Sequence, residues 1–359
     1  MAKKRNRCYS GIGGQAVLEG VMMKNGEKYA VAVRKPDGEI EVDVENHQGI
    51  LHGSKIKEVP FIRGVFNFVD SLMLGSKCLN YSADFYEDED AKETKFDKAL
   101  NKVTRGNAEK VLTSFITILS IVLAIGIFIV LPYFVTSFFK DYVRSDALMA
   151  LIEGAIRIAI FVLYVVLISL MKDIKRLYMY HGAEHKCINC LERGRELTVS
   201  NVMRSSRLHK RCGTSFMFFV MFVSIILFFF IRVENPVYRV GLRILLIPVV
   251  AGISYEIIRL AGRSNNVFVK ILSIPGMLIQ RITTKEPTKD MIAVAIASIE
   301  AVFDWKKFLT DEFGVEEFDD AEAADEEDDE ESEEVAAGET EGADEAETDG
   351  AEAEEKAGE

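Results

Sequence analysis

The sequence predicts a polytopic α-helical membrane protein of about four transmembrane helices, with a small β-rich unit at its N-terminus and a disordered acidic tail at its C-terminus. Three observations support this fold class. Apolar residues make up 49% of the 359 residues, and the mean hydropathy is above zero, which is high for a soluble protein in which 28% of the residues are charged. Long uncharged stretches alternate with charged ones. The acidic residues are concentrated near the C-terminus.

The net charge of −13 combines two segments of opposite sign. From Asp311 onward the chain has 26 Asp or Glu and one basic residue, Lys356, whereas 30 acidic and 42 basic residues precede Asp311. A basic body fits a protein held at an anionic cytoplasmic leaflet, with the lipid bilayer as its main partner and no nucleic acid. Because residues 311–359 have few aromatic side chains and many like charges, we expect them to be disordered and to recruit basic partners.

Residues 1–58 have the pattern of a cytoplasmic β-rich unit. The apolar run Tyr29–Val33 is followed by Arg34-Lys35-Pro36-Asp37-Gly38 and then by Ile40, Val42 and Val44, which alternate with acidic residues; this pattern predicts a hairpin. The preceding run GGQAVLEGVMM is a candidate for a further strand. Glu19 lies inside that apolar run, where a carboxylate needs a partner or a metal ion, so we regard it as an additional candidate ligand.

Residues 59–110 are predicted to form an interfacial helix and a charged linker. The apolar run from Pro60 to Asn80 has only Asp70 as a charge between Arg63 and Lys77, and it is too short to cross a bilayer. An interfacial or buried helix is therefore expected, followed by a charged helical linker up to residue 110.

A membrane domain is predicted over residues 111–262. Four stretches are long and apolar enough to span a bilayer. They are Val111–Phe139, Ala147–Met171, Gly213–Ile231 and Tyr238–Leu260. Residues 263–310 then read as C-terminal cytoplasmic helices: an apolar helix interrupted by Pro275-Gly276, and an amphipathic helix that starts at the string TTKEP and runs to about Phe308.

Charge predicts the orientation of these spans. The loop between the second and third spans, residues 172–212, has ten Lys or Arg, whereas the other two loops have two and three. Because positive residues favour the cytoplasmic side, this loop and both termini are predicted to be cytoplasmic in a multi-pass protein of the cell membrane. The N-terminal residues MAKKRNRCYS lead into glycines, so we expect no cleavable signal peptide.

The loop contains a candidate catalytic metal site. His181 and His185 are four residues apart, on one face of a predicted helix, and Glu184 lies between them in an H-x-x-E-H pattern. Imidazoles at this spacing bind a divalent metal, most often Zn²⁺, and the glutamate acts as a general base. Glu256, 71 residues beyond His185, is the predicted third ligand, with Glu19 as its alternative.

A second interpretation uses the same loop as a closed structural site. Cys187 and Cys190 form a C-x-x-C pair, and His209 and Cys212 have the same spacing, which suits a tetrahedral zinc ion. Such a site would hold the loop and catalyse nothing. A shared site that mixes histidine and cysteine ligands is equally open. Structural disulfides are not expected for the five cysteines.

Several strings resemble the YqhQ family of bacterial membrane proteins. The strings are GGQAVLEGVMM, RGV at Arg63–Val65, YHGAEHK, CGTSF at Cys212–Phe216, YEIIR at Tyr255–Arg259 and TTKEP. The resemblance covers residues 11–303 and departs from the family at Lys210, where HKRCGTSF stands for the usual HPRCGTSF. It implies a domain of unknown function with the label of a predicted metal-dependent enzyme, and it supplies no substrate.

Together these observations predict a membrane enzyme whose most favoured activity is metal-dependent hydrolysis at the cytoplasmic face. The alternatives are a non-catalytic membrane scaffold held by a Cys/His zinc site and, third, an ion or metal transporter. Charges inside the predicted spans are few and lie near the helix ends, which disfavours the transporter.

Overall fold

The computed structural model of the protein describes residues 7–86, 108–230, 233, 235–263, 266–315 and 317–318. Its N-terminal part is a four-stranded antiparallel sheet in the order β1-β2-β3-β4. The strands are β1 Gly13–Val17, β2 Gly20–Asn25, β3 Lys28–Arg34 and β4 Ile40–Asn46. The predicted hairpin is confirmed, and the GGQAVLEGVMM run forms two strands rather than one.

Helices make up most of the remaining described chain. In order they are α1 Ile62–Asp84, α2 Ala108–Ile125, α3 Leu131–Ser137, α4 Asp146–Ser169, α5 Lys172–Glu192, α6 Val199–Met203, α7 Gly213–Phe230, α8 Pro236–Leu245, α9 Ile247–Arg263, α10 Val267–Thr283, α11 Lys289–Glu300 and α12 Trp305–Phe313. A π-helical turn, Gly126–Val130, joins α2 to α3. Most of the predicted charged linker, residues 87–107, lies outside the described residues.

Among the described residues, three or four helical segments are long and apolar enough to cross a membrane. Three are the helical segments Ser114–Ser137, Ala147–Ser169 and Gly213–Phe230. A fourth exists if Val237–Leu245 and Ile247–Ala261, which meet at a bend of 43°, count as one span. These segments agree with the four predicted stretches within a few residues at each end.

The C-terminal helices differ from the prediction in two places. Pro275 does not interrupt α10, which continues to Thr283 and packs against α7 beyond the proline through Ile279 and Gln280. At Gly276 the two helices are in close contact, since a Cβ there would lie 2.8 Å from Ser215 Oγ. The single amphipathic helix predicted up to Phe308 is divided into α11 and α12. Asp304 begins α12, where its side chain accepts a hydrogen bond from Lys307 N.

The sheet is covered on both faces and shares its core with the helical part of the protein. Val21, Met23 and Ala32 pack against α5 and α11 on one face. Met22 and Val31 belong to a second core that includes Leu74 and Cys78 of α1 on the other face. A strand buried on both faces is apolar at consecutive positions, as β2 and β3 are. The sheet therefore positions β1 and β2 directly against α5.

The acidic tail begins later than the predicted residue 311. Helix α12 continues to Phe313, and Gly314 ends it in the left-handed conformation with a φ of 71°. Val315 and Phe318 then pack against the main core, and the ring of Phe318 lies 5.5 Å from that of Trp305. The apolar residues between 311 and 318 extend the folded part of the chain, because they bury apolar surface against the core.

Candidate functional site

Two histidines and one cysteine form the candidate site. His181 and His185 lie one turn apart on α5, with ring centroids separated by 4.4 Å, and Cys212 immediately precedes α7. His181 Nε2 is 3.1 Å from Cys212 Sγ. One potential ligand atom from each of the three residues lies within 4.8 Å of the others. The predicted histidine face on α5 is thus present, and the residue that joins it is a thiol.

Both imidazoles are oriented by backbone carbonyl groups. His181 Nδ1 lies 2.9 Å from the carbonyl oxygen of Thr283, and His185 Nδ1 lies 2.6 Å from that of Arg207. Since a carbonyl oxygen only accepts hydrogen bonds, each Nδ1 is the protonated donor. In the neutral imidazoles Nε2 therefore keeps a free lone pair, which is the tautomer that a metal ligand requires.

Gly182 brings the TTKEP segment close to α5. A Cβ on Gly182 would lie 2.0 Å from the carbonyl oxygen of Lys285, and Lys285 N donates a hydrogen bond of 2.9 Å to the carbonyl of Tyr178. This backbone contact fixes the end of α10, including the Thr283 carbonyl that orients His181. The glycine in YHGAEHK is thus explained by the need for close packing against TTKEP.

Glu184 is buried beside the two histidines. Burial raises the pKa of its carboxyl group, and the neighbouring His185 and His181 oppose that rise. The backbone N–H of Gly14 in β1 donates a hydrogen bond to the carboxylate. A Cβ on Gly14 would lie 2.9 Å from Glu184 Cγ, so the GGQ segment has to be glycine where it approaches this side chain.

Cys212 and His181 are in contact, and each shifts the pKa of the other. Although burial favours the neutral imidazole, the Cys212 thiolate and Glu184 outweigh it and raise the pKa of His181 to about 9. Burial likewise favours the neutral thiol of Cys212 and would raise its pKa, but His181 and His185 outweigh burial and bring that pKa well below its ordinary value. Thr214 N lies 3.4 Å from Cys212 Sγ and donates to it at the N-terminus of α7. These contacts favour the thiolate form of Cys212.

His209 and Glu192 form a second polar layer behind His185. The His209 ring centroid is 5.6 Å from that of His185, and burial lowers the pKa of His209 to about 4, so the ring is neutral. Burial would raise the pKa of Glu192, but His209 and Arg211 outweigh it and hold that pKa at about 2. The side chain of Gln280, fully buried on α10, bonds both the backbone N–H and the carbonyl of His209.

The predicted third ligands, Glu256 and Glu19, are not in this cluster. Glu256 is paired with Arg63 of α1, with 2.6 Å between Oε2 and Nη2, and it also accepts from Phe61 N. Glu19, at the β1–β2 turn, accepts hydrogen bonds from Nε and Nη2 of Arg176. Each carboxylate pairs with an arginine, which compensates its charge without a metal ion.

The predicted four-residue zinc site is not assembled either. Cys187 follows His185 by two residues, which places it about 200° away around the helix and inside the core with the sheet. Cys190 lies there too, with Sγ 3.1 Å from the carbonyl oxygen of Glu196. Burial raises the pKa of both thiols, that of Cys190 to about 12. They are protonated, apolar core residues, whereas Cys212 faces the histidines.

A cavity of about 640 Å³ opens onto the cluster. Its polar wall is made by the cluster, Glu184, His209 and Arg211. Its apolar wall comes from β1, α1, the start of α7 and α9, and includes Phe68, Leu72, Phe216, Met217 and Ile258. An apolar cavity with a few convergent polar groups is the usual form of a small-molecule site.

Sequence reasoning missed the contacts that are remote in the chain. These are the Gly14 amide, the carbonyl groups of Arg207 and Thr283, and the Gln280 side chain. Of the sequence features noted above, only the strings GGQ and TTKEP pointed to segments that make these contacts. The same strings explain a second junction, because a Cβ on Gly64 of RGV would lie 2.7 Å from the side chain of Tyr255 in YEIIR.

Comparison with known proteins gives a family but no activity. Residues 59–305 match the family model described as "Protein of unknown function (DUF1385)". The chain is 33% identical over 287 residues to "Uncharacterized protein YqhQ" of Bacillus subtilis (strain 168), an alignment that covers 80% of this chain and 90% of that protein. No solved structure matches the chain.

Proposed function

Because this chain belongs to the DUF1385 family, whose function is unknown, we propose a function from the site itself: metal-dependent hydrolysis at a membrane surface. His181, His185 and Cys212 hold a divalent ion, most suitably Zn²⁺, and Glu184 is the general base. The observation that supports this proposal is the approach of three ligand atoms to within 4.8 Å on a cavity wall.

The donor set fits zinc. Imidazole nitrogen and thiolate sulfur are the ligands that Zn²⁺ prefers, and bonds of about 2.0–2.3 Å in a tetrahedron bring ligand atoms to roughly 3.5 Å from each other. The 3.1 Å between His181 Nε2 and Cys212 Sγ is close to that separation. Three protein ligands leave a fourth position open, which distinguishes catalytic from structural zinc sites.

The protein supplies the proton chemistry around the ion. When bound, Zn²⁺ acts as a Lewis acid and lets water attack near neutral pH. Glu184 is adjacent to His185 in the chain and lines the same cavity, so its carboxylate can accept the proton of the attacking water. Burial raises its pKa above the ordinary value of a glutamate, which favours a general base that later donates its proton. The Gly14 N–H holds the carboxylate in place.

We place the site at the cytoplasmic face of the cell membrane. Cys212 immediately precedes the apolar helix α7, and the cluster lies in the loop with ten basic residues between Lys172 and Arg211. The positive-inside rule puts such a loop on the cytoplasmic side.

A second candidate uses Cys212 and His181 without a metal. Their 3.1 Å contact and opposite charges are those of a cysteine nucleophile paired with a histidine base. The product would then form through an acyl-enzyme on Cys212. Metal analysis separates the two candidates, because this one needs no ion.

The experiment is metal analysis of the detergent-purified full chain. We expect about one equivalent of metal in the wild type, and loss of it in His181→Ala/His185→Ala and in Cys212→Ala. Cys187→Ala is the matched control and should retain the metal, because its thiol faces the core. Glu184→Gln should also retain it, since only proton transfer is removed. Full metal content in the double histidine variant would refute the proposal.

A further inference from the structure

A second cavity, of about 450 Å³, lies among the apolar helices and does not include the metal-site residues. Its walls come from α1, the α2–α3 segment, α4, α7, α8 and α9, and most of its lining is aromatic or aliphatic. Two of the lining residues are arginines, Arg157 on α4 and Arg243 on α8. Charged groups between apolar helices are costly and usually mark a binding site.

The two arginines share a single carboxylate. Arg157 Nη2 donates to Glu153 Oε1 at 2.9 Å, and Arg243 Nη2 donates to Glu153 Oε2 at 2.9 Å. All three residues are only 7% exposed. Within the part of the chain that the structure describes, Glu153 is the acidic partner of both, so the cluster has an excess of one positive charge.

Arg243 has a donor that nothing in the described residues accepts. Its Nε is buried and without a hydrogen-bond partner. Arg157, by contrast, also uses Nε and Nη1, which donate to the Phe128 carbonyl and to Ser224 Oγ. A buried, unpaired guanidinium donor is expensive unless an anion completes it. The cluster thus has both the charge and the free donor that an anionic group would satisfy.

The shape of the cavity selects an anion with an apolar chain. Along α7 its lining runs from Phe216 to Phe228, which corresponds to about 18 Å of helix. Phe228 lies against the arginines, with its ring centroid 5.1 Å from the guanidinium carbon of Arg243. At the other end are Phe68 and Phe216, which are only apolar. The cavity is therefore charged at one end and apolar over the rest of its length.

Two residues of the cavity wall also expose part of their surface. Tyr164 on α4 and Ile247 on α9 line the cavity and are 42% and 45% exposed, so we infer an opening between these helices. A lipid beside α4 and α9 can reach the cavity between them without passing through water. A chain with one tail fits a volume of this size, which lies in the range of small-ligand sites.

We propose that this cavity binds a single-chain lipid anion, with its carboxylate or phosphate on Arg243 and Arg157 and its apolar chain directed toward Phe68 and Phe216. The arginine end is separate from the proposed metal ligands and does not depend on them, whereas the apolar end borders the metal-site cavity and shares Phe68, Phe216 and Met217 with it. The alternative is that Glu153, Arg157 and Arg243 form an ion cluster that binds no ligand and serves only to connect α4 with α8.

The test measures binding of palmitate to the full-length protein in a non-ionic detergent, by native mass spectrometry and by the shift in melting temperature. Hexadecanol supplies the same chain without the charge, and inorganic phosphate supplies a charge without the chain. We expect one palmitate per protein, and at least about tenfold weaker binding of both control molecules, because each loses one of the two interactions. A long-chain phosphate monoester in place of palmitate tells which anionic group binds more tightly.

Two variants test the position of the ligand. Arg243→Gln removes the excess charge and leaves Glu153 and Arg157 as a balanced pair, so we expect at least tenfold weaker palmitate binding without a lower melting temperature. Val220→Phe fills the cavity without changing charge and should weaken binding similarly, whereas Val249→Phe, on the exposed side of α9, should not.

The proposal is overturned if palmitate binds Val220→Phe as it binds the wild type, or if hexadecanol binds as tightly as palmitate. A marked loss of stability in Arg243→Gln with unchanged palmitate binding would instead support the self-contained ion cluster. If Arg243→Gln does not fold, Val220→Phe and the two control molecules decide the matter.

Discussion

Replacement of Gly182 by alanine tests how the fold positions the metal ligands. Gly182 is one residue after His181, and an added Cβ would lie 2.0 Å from the Lys285 carbonyl oxygen. Since the obstacle is backbone, either α5 or the TTKEP segment has to move by about 1 Å to restore even a tight contact of about 3.0 Å. The nearest functional group on that segment is the Thr283 carbonyl, which holds His181 Nδ1.

The effect can be estimated from two opposing contributions. Alanine gains up to about 1 kcal/mol over glycine in a helix, whereas forcing an extra carbon into a packed contact costs about 1–3 kcal/mol. The net loss of unfolding free energy is then about 0–2 kcal/mol. The larger effect is expected on metal affinity, because the loss of a hydrogen bond that orients a metal ligand lowers this affinity about 10–100-fold.

The assay is zinc affinity by competition with a chromophoric chelator, together with the melting temperature in detergent. Gly241→Ala is the matched control, because Gly241 is also helical and a Cβ there would meet nothing within 4 Å. It should leave zinc affinity unchanged. Wild-type zinc affinity in Gly182→Ala would refute the reasoning that the TTKEP contact fixes the orientation of His181.

Three further predictions follow from charge and packing. First, zinc affinity should rise about tenfold per pH unit up to about pH 9 and then level off. The reason is that His181 has to lose a proton below its pKa of about 9, whereas the lowered pKa of Cys212 already favours the thiolate. Chelator competition from pH 6 to 9.5 measures the slope, and the loss of two protons instead of one would contradict this reasoning. Second, a cysteine at Arg193 should resist membrane-impermeant thiol reagents in intact cells, whereas one at Tyr142, 86% exposed between the first two candidate spans, should react; the opposite pattern would invert the topology. Third, truncation after Phe318 should preserve the melting temperature, whereas truncation after Gly314 should lower it, since it also removes Val315 and Phe318 from the core; equal melting temperatures would show that this packing does not stabilise the protein.

Local patterns predicted the elements that are determined locally. The Pro36-Asp37-Gly38 turn and the alternation around it identified β3 and β4, and long uncharged runs identified the candidate spans. The spacing of His181 and His185 correctly placed both on one helix face, because four residues make just over one turn. In each case the signal and the structure involve residues that are close in the chain.

The remainder of the site depends on contacts between distant segments. Glu256 has the expected spacing from His185, but its partner is Arg63, 193 residues away in the chain. The spacing between two residues in the sequence cannot show that a carboxylate pairs with an arginine instead of a metal ion. Cys212 was a candidate ligand in the Cys/His zinc site and in the mixed site that was left open, but spacing alone could not separate it from Cys187 and Cys190, whose thiols lie in the core. The effect of Pro275 also depends on a distant segment. The backbone hydrogen bond that this proline cannot donate is compensated by the packing of α10 against α7.

X-ray absorption spectroscopy at the zinc edge, on the purified full-length protein, tests the proposed ligand set most directly. We predict one sulfur at about 2.3 Å and two imidazole nitrogens at about 2.0–2.1 Å, with a light atom in the open fourth position. In Cys212→Ala the sulfur contribution should disappear, and in Cys187→Ala it should remain. A site with two or three sulfur ligands, or one with no sulfur in the wild type, would contradict the assignment of His181, His185 and Cys212.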